Sequence, residues 1–334
     1  MQPLSRPASH PAPAMPYPSR RVAQPGGVRM TVGLGRRARS VEEVVVNMTA
    51  LASIPPQRFR PLEARPGDVF IACWAKSGTT MMQQMFHQLR MIAATGAGDM
   101  DFADISAMTP WEDTGAIIDH DINAPQRAEP RGFKSHREYQ RLPAGLRYVV
   151  TLRDPKETYV SFHRFFEGWH MERGAVDLEA FFPLWLTGGP GGCDYFTHLL
   201  SWHARRGEPD TLLATYRWGA RNRAAMVRRL AGFLGLPADE AAVAEVERMT
   251  GREFMYAHKD RFDDALVCAA LEAKLGIPAD SDSTKVQAVG SDAGALPASV
   301  AERIDALWAE RVAPVTGHPD FAALAEEIES GLYR

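Results

Sequence analysis

Cysteine is scarce: Cys73, Cys193 and Cys268 are the only three in 334 residues, odd in number and set in unrelated contexts. They suggest neither a disulfide framework nor a thiolate zinc site, and they fit a reducing, intracellular compartment, read here as cytoplasmic. No apolar run approaches the length of a bilayer span, and the start lacks the apolar core of a secretion signal, so no membrane partner is expected. Excess basic charge is also missing. The 38 Lys and Arg stand against 41 Asp and Glu, and a net charge of -3 gives no sign of nucleic-acid binding. Residues 1–40 contain no acidic residue at all; seven Arg are scattered there among Pro, Ala, Ser and Gly without a hydrophobic period. That composition reads as a disordered extension, with an organelle-targeting segment and an upstream extension before a start at Met30 both open.

What is present is a globular composition, 45% hydrophobic and 24% charged, enough to bury a sizeable core. Order is expected from Ser40, an N-cap with Glu43 at the capping-box spacing. No internal repeat or linker follows, so residues 41–334 are expected to form one domain.

Residues 68–95 read as a buried strand (69–73), a tight loop, and a helix with Met81, Met82, Met85, Phe86 and Leu89 at helical spacing. The loop carries Lys76, Ser77, Gly78, Thr79 and Thr80. Free N–H groups at such a helix start, with the positive dipole end behind them and a lysine beside them, suit a phosphate. In the nucleoside triphosphate P-loop the lysine follows the second glycine and precedes a magnesium-binding hydroxyl; here it precedes the only glycine, so metal-dependent phosphoryl transfer is not the natural reading and no metal is expected.

Further strands are expected at 132–134, 146–152 and 211–215, with helices over 155–169, 178–186, 195–206, 220–235, 238–249 and 299–312. This alternation argues for an α/β fold, a central parallel sheet with helices on both faces and a P-loop-like phosphate-binding loop. Two more segments leave strand ends. Arg153-Asp154-Pro155 offers a guanidinium where open α/β sheets bind ligands, Asp154 as a helix cap, and Ser161 two turns along. Alternation along 132–136 puts Lys134 and His136 on one side, where a cation and an imidazole can stabilise a transferring anionic group and remove a proton.

Taken together, the segments 75–80, 134–136 and 153–161 resemble the sulfotransferase family in its soluble, cytosolic-type branch, which moves a sulfonate from 3′-phosphoadenosine 5′-phosphosulfate (PAPS) to an acceptor. The similarity runs from about residue 66 to 166 and continues more weakly through Tyr216. It implies that His136 deprotonates the acceptor, an alcohol, phenol or amine; that Lys134 steadies the sulfonate oxygens; and that Lys76 stabilises the leaving phosphate. It implies further that backbone amides of Ser77 to Thr80 hold the 5′-phosphate, that Arg153 and Ser161 hold the 3′-phosphate, and that Tyr216 contacts the adenine. Departures lie on the far side of the nucleotide. Met81 stands where the family places Trp, and Thr250 is a ligand candidate although Arg252 occupies an aromatic position. In place of the Arg-Lys-Gly loop the chain reads Thr284 to Gly290, with Lys285 its one charge.

Alternatives are a catalytically silent nucleotide-binding protein of the same fold, motivated by Gln287 and Val289, and a nucleoside triphosphate kinase. His198 and His203, five apart on a helix, do not make a zinc pair. Trp111, Phe165, Phe166 and Trp169, and also Phe181, Phe182 and Trp185, are either acceptor-pocket walls or core. Neither the acceptor nor the oligomeric state is read from the sequence.

Overall fold

In a computed structural model, which describes residues 32–187, 189–280, 285–286 and 296–332, four short strands form one sheet. They are β1 (Val69–Ile71), β2 (Gly132–Lys134), β3 (Arg147–Leu152) and β4 (Thr211–Thr215). All neighbours are parallel, in the order β2-β1-β3-β4, with Phe70 opposite Phe133 and Tyr148. Val69, Phe70 and Ile71 are fully buried, as an apolar run must be when helices cover both faces of a parallel sheet. The chain therefore has the expected α/β fold.

Parallel pairing puts every strand's carboxyl end at the same edge. The loop after β1, the turn after β2, Arg153 after β3 and Tyr216 after β4 all emerge there, the edge at which open α/β sheets bind ligands. β2 lies at one side of the sheet, and residues 110–112 close it. Lys134 N donates to the Pro110 carbonyl (2.9 Å) and Glu112 N to the Lys134 carbonyl (2.8 Å). At the amino ends of β1 and β2, Asp68 meets Arg131 with two hydrogen bonds, at 2.8 Å and 2.6 Å, in a pair with almost no exposure.

Several boundaries differ from the sequence reading. Structure begins before Ser40: Ala38 bridges to Met171, and the buried Asn47 amide accepts from Leu34 N and donates to the Arg36 carbonyl. Within residues 32–40, Ala38 is fully buried while Val32 and Leu34 stay exposed; residues 1–31, most of the expected extension, lie outside the described residues. Ser40 does cap, accepting from Glu43 N at 3.3 Å, but the Glu43 carboxylate turns to Arg36 and to Arg39 N, so the box is left open on that side. The helix expected over 220–235 is two, Tyr216–Arg221 and Arg223–Leu234. The Thr215 hydroxyl caps the first, and Asn222, outside helical geometry, separates them. Helices Ala265–Leu275 and Phe321–Leu332 were not expected. No helix among the described residues is long and apolar enough to cross a membrane.

Candidate active site

The loop after β1 turns in two left-handed steps, at Lys76 (φ 65°) and Gly78 (φ 103°). Glycine is required at the second: a Cβ on Gly78 would meet the Tyr216 ring at 2.6 Å and the Thr151 hydroxyl at 3.1 Å. The loop is anchored to β3 and its exit. The Thr151 hydroxyl donates to the Ser77 carbonyl at 2.6 Å, and Arg153 Nη1 donates to the Lys76 carbonyl at 2.9 Å. The helix Thr79–Thr95 then starts with no side-chain cap, so its first N–H groups have no acceptor within the helix.

One expected donor is already spent. Ser77 N–H bonds to the Trp74 carbonyl at 3.1 Å to close the turn, so the amides presented to an anion begin at Gly78. The Ser77 hydroxyl, by contrast, is buried without a hydrogen-bond partner among the described residues. Together with the uncapped helix start and the glycine cradle, this orphaned donor fits a phosphate or sulfate group at the loop.

The cleft over this loop has a volume of about 890 Å³. Lys76, Gly78, Thr79, Thr80, Met81, Lys134, His136, Arg153, Ser161, Tyr216, Thr250 and Lys285 all line it; of the sequence candidates only Ser77 lies beneath it. Of the aromatic candidates, Trp111, Phe165, Phe166 and Trp169 line the cleft, whereas Phe181, Phe182 and Trp185 do not and belong to the core. Met81 is nearly buried against the Gly219 backbone position, a methyl about 3.5 Å from where a Cβ there would sit. Thr250 donates its one hydroxyl proton back to the Val246 carbonyl at 2.7 Å, which leaves it only as an acceptor toward a ligand.

At the exit of β2, Lys134 Nζ lies 3.3 Å from the centroid of the Trp111 ring, and the His136 ring meets the same indole edge-on at 5.2 Å. His136 Nδ1 is 2.5 Å from the Cys73 carbonyl. A carbonyl can only accept, so Nδ1 carries the ring proton and Nε2 keeps the lone pair. Burial, then the nearby Lys134 charge, holds the imidazole well below its usual pKa, so the ring is neutral near pH 7. His136 N–H donates to Asp113 Oδ2 at 2.9 Å, and burial followed by Glu112 pushes that carboxyl up to about 6.

Cations crowd the centre. Burial, then Arg153 and Lys134, pushes Lys76 down to about 7, and burial pushes Lys134 down to about 8. Lys285 is held well below its ordinary value by burial and by Lys134. An anion in the cleft would reverse all three shifts. Arg153 is tied on one side, its Nε bonding Glu157 at 3.0 Å and its guanidinium 5.0 Å from the Tyr216 ring centroid. Asp154 does not pair with it but caps the helix Pro155–Trp169 through Lys156 N and Glu157 N.

The acid in this cluster was missed by the sequence reading. Asp264 is fully buried at a left-handed backbone position (φ 55°), accepts from the Ser106 hydroxyl at 3.1 Å, and ion-pairs with Lys285 and, at 3.8 Å, with Lys134. Lys285 is therefore present in the cleft but held by a carboxylate. Thr284, Gln287, Val289 and Gly290 lie outside the described residues.

Residues 66–261, more than half of the chain, match the family model described as the sulfotransferase domain. Curated relatives include sulfotransferase 4A1 of Mus musculus, 26% identical over 183 residues that make up 53% of this chain and 63% of the relative. Luciferin sulfotransferase of Photinus pyralis is 25% identical over 224 residues, 60% of this chain and 59% of the relative. The chain thus spans less than two thirds of the length of these relatives. Among solved structures, mouse sulfotransferase SULT7A1 complexed with PAP superposes with a TM-score of 0.51 at 20% identity, covering 75% of this chain and 86% of that one. Retinol dehydratase in complex with androsterone and inactive cofactor PAP gives 0.53 at 16%, covering 75% and 81%.

Proposed function

Because the chain belongs to the sulfotransferase family, we propose that it takes a sulfonate from PAPS and transfers it in line to a hydroxyl or amine of a small-molecule acceptor. The observation that carries this reading is His136: its Nδ1 is fixed on the Cys73 carbonyl, its ring stays neutral, and its lone pair is at Nε2 in a cleft it shares with Lys134 and Lys76. A neutral base next to two cations suits a reaction that removes a proton from the acceptor while negative charge grows on the departing phosphate.

In this reading Lys134, seated on Trp111, steadies the sulfonate oxygens, and Lys76 takes the charge on the bridging oxygen. The amides from Gly78 to Thr80 hold the 5′-phosphate, and Arg153 and Ser161 hold the 3′-phosphate. Tyr216, Met81 and Thr250 flank the base, and Lys285 reaches the donor only by leaving Asp264. The bound donor supplies an activated sulfonate and a good leaving group. Two structural relatives were solved with PAP, one of them with androsterone, and the aromatic walls at Phe165, Phe166 and Trp169 support an acceptor with an apolar body.

The test supplies labelled PAPS with a panel of phenols, alcohols and amines. Turnover that vanishes in His136→Ala is the expected result. Thermal unfolding separates the alternatives: adenosine 3′,5′-bisphosphate should raise the midpoint and Mg-ATP should not, and the opposite pattern would remove the sulfotransferase reading in favour of a kinase. Stabilisation without turnover across a broad panel would favour the silent nucleotide-binding protein.

A further inference from the structure

Away from the cleft, three chain segments bring their side chains to one point. His203 ends the helix Tyr195–His203, His318 follows the short helix Ala313–Thr316, and Glu327 lies on the helix Phe321–Leu332. Glu327 Oε2 is 3.0 Å from His203 Nε2 and 2.8 Å from His318 Nε2, and the ligand atoms of all three lie within 4.8 Å of one another. None of the three lines the cleft.

We propose that His203, His318 and Glu327 form a binding site for one zinc-class divalent ion, with water as its fourth ligand. Two imidazole nitrogens and one carboxylate oxygen are a donor set that tetrahedral zinc accepts, and nitrogen donors disfavour calcium and magnesium. On a tetrahedral ion with bonds of about 2.0–2.1 Å, neighbouring ligand atoms stand roughly 3.3 Å apart. The two nitrogen–oxygen pairs need to open by only a few tenths of an ångström to admit it. The surroundings orient the set. Arg206 Nε holds the other carboxylate oxygen, Oε1, at 2.8 Å, so Oε2 is the oxygen presented. The His318 backbone is fixed on both sides, its carbonyl accepting from Trp308 Nε1 at 3.0 Å and its N–H donating to the Thr316 hydroxyl at 3.2 Å.

Burial is graded as a binding site needs: His203 is nearly enclosed, while His318 and Glu327 are half-buried and leave an entry path. Nε2 of both rings already points at Glu327 Oε2, and a ring that binds through Nε2 offers that nitrogen's lone pair to the ion, its proton lying elsewhere. The ion would clamp the last long helix to the end of Tyr195–His203. That last helix also holds β4, since Glu329 accepts from the Thr215 hydroxyl at 2.5 Å.

The experiment strips the full chain with a chelator and titrates it with zinc chloride alone, reading bound metal by elemental analysis and thermal unfolding. One zinc per chain and a midpoint raised by a few degrees are expected, with cobalt giving the intense visible bands of a tetrahedral site. His318→Ala, at a half-exposed loop position, should lose both the stoichiometric zinc and the rise while keeping the wild-type midpoint in chelator. Glu327→Gln should weaken binding at least tenfold. Undiminished zinc binding in both variants, or no zinc bound by the wild-type chain at micromolar concentration, overturns the proposal.

Discussion

Lys134 and Asp264 face each other at 3.8 Å, both buried, in a cleft that Lys76, Arg153 and Lys285 also line. Asp264 also holds Lys285, so one carboxylate restrains two cations. Asp264→Asn removes that restraint but keeps a residue that tolerates the left-handed backbone (φ 55°). Stability should fall by about 3 kcal/mol, the usual scale for breaking a buried ion pair. Affinity for adenosine 3′,5′-bisphosphate should rise several-fold as Lys134 and Lys285 turn to the anion. Urea unfolding and calorimetric titration of the same variant read the two effects, and an affinity that falls would show that Asp264 positions the lysines for the ligand.

His136→Ala should lower kcat by roughly 10²–10⁴-fold, the range for losing a general base, with the donor's Kd changed less than about threefold. Because the ring's pKa is depressed well below its ordinary value, the base is already deprotonated at neutral pH. Wild-type kcat/KM should therefore show its acidic limb below pH 6.5 and stay level from there to neutrality. A limb centred near 7 would mean that some other group removes the proton.

Lys76 ties anion binding to pH. Its free-state pKa of about 7 means that the charge is lost as pH rises through 7, whereas an anion at the loop would restore the ordinary lysine value. Binding above pH 7 must then take up a proton. Affinity for adenosine 3′,5′-bisphosphate should fall between pH 7 and 9, by about tenfold per unit for each lysine that takes up a proton, and calorimetry in buffers of different ionisation enthalpy should count the protons taken up. Lys76→Met should remove one proton from the count and lessen the dependence, leaving the share of Lys134 and Lys285; a wild-type affinity that does not change over this range would contradict the assignment.

Gly78→Ala should damage both fold and site, because the residue needs φ 103° and its Cβ would stand 2.6 Å from the Tyr216 ring. A loss of about 2 kcal/mol is expected, together with loss of anion binding. In Gly78→Ala/Tyr216→Ala the clash is relieved but the backbone strain is not, so unfolding should show only partial recovery of stability.

Much of the framework was legible because it is local. Gly132–Lys134, Thr211–Thr215 and the helix Pro155–Trp169 fall where apolar runs, caps and proline place them. The helix Ala265–Leu275 gave no such signal: apolar residues lie around its whole circumference, so no period separates one face from another. Asp264 was unreadable for a different reason. It is 130 residues from Lys134 in the chain, and only the fold reveals that they meet. The break at Asn222 depends on Thr215 capping an earlier, separate turn, a choice that helical spacing alone does not encode. The same holds for His203, which is zinc-like only beside residues more than a hundred positions later.

The carbonyls of Lys76 and Ser77 are both drawn back, one onto Arg153 and the other onto Thr151. A peptide loop ordinarily shows a visitor oxygens as well as amides, and the oxygens would repel an anion. Here those two are held by partners, and the Lys76 ammonium, the amides from Gly78 onward and the hydroxyls of Thr79 and Thr80 are left toward the cleft. The loop thus selects by sign before it selects by shape: an anion finds donors waiting in fixed directions, and a cation meets a lysine and is denied those two carbonyl oxygens. Since the sheet has already fixed those directions, little of a ligand's binding free energy goes into ordering the loop.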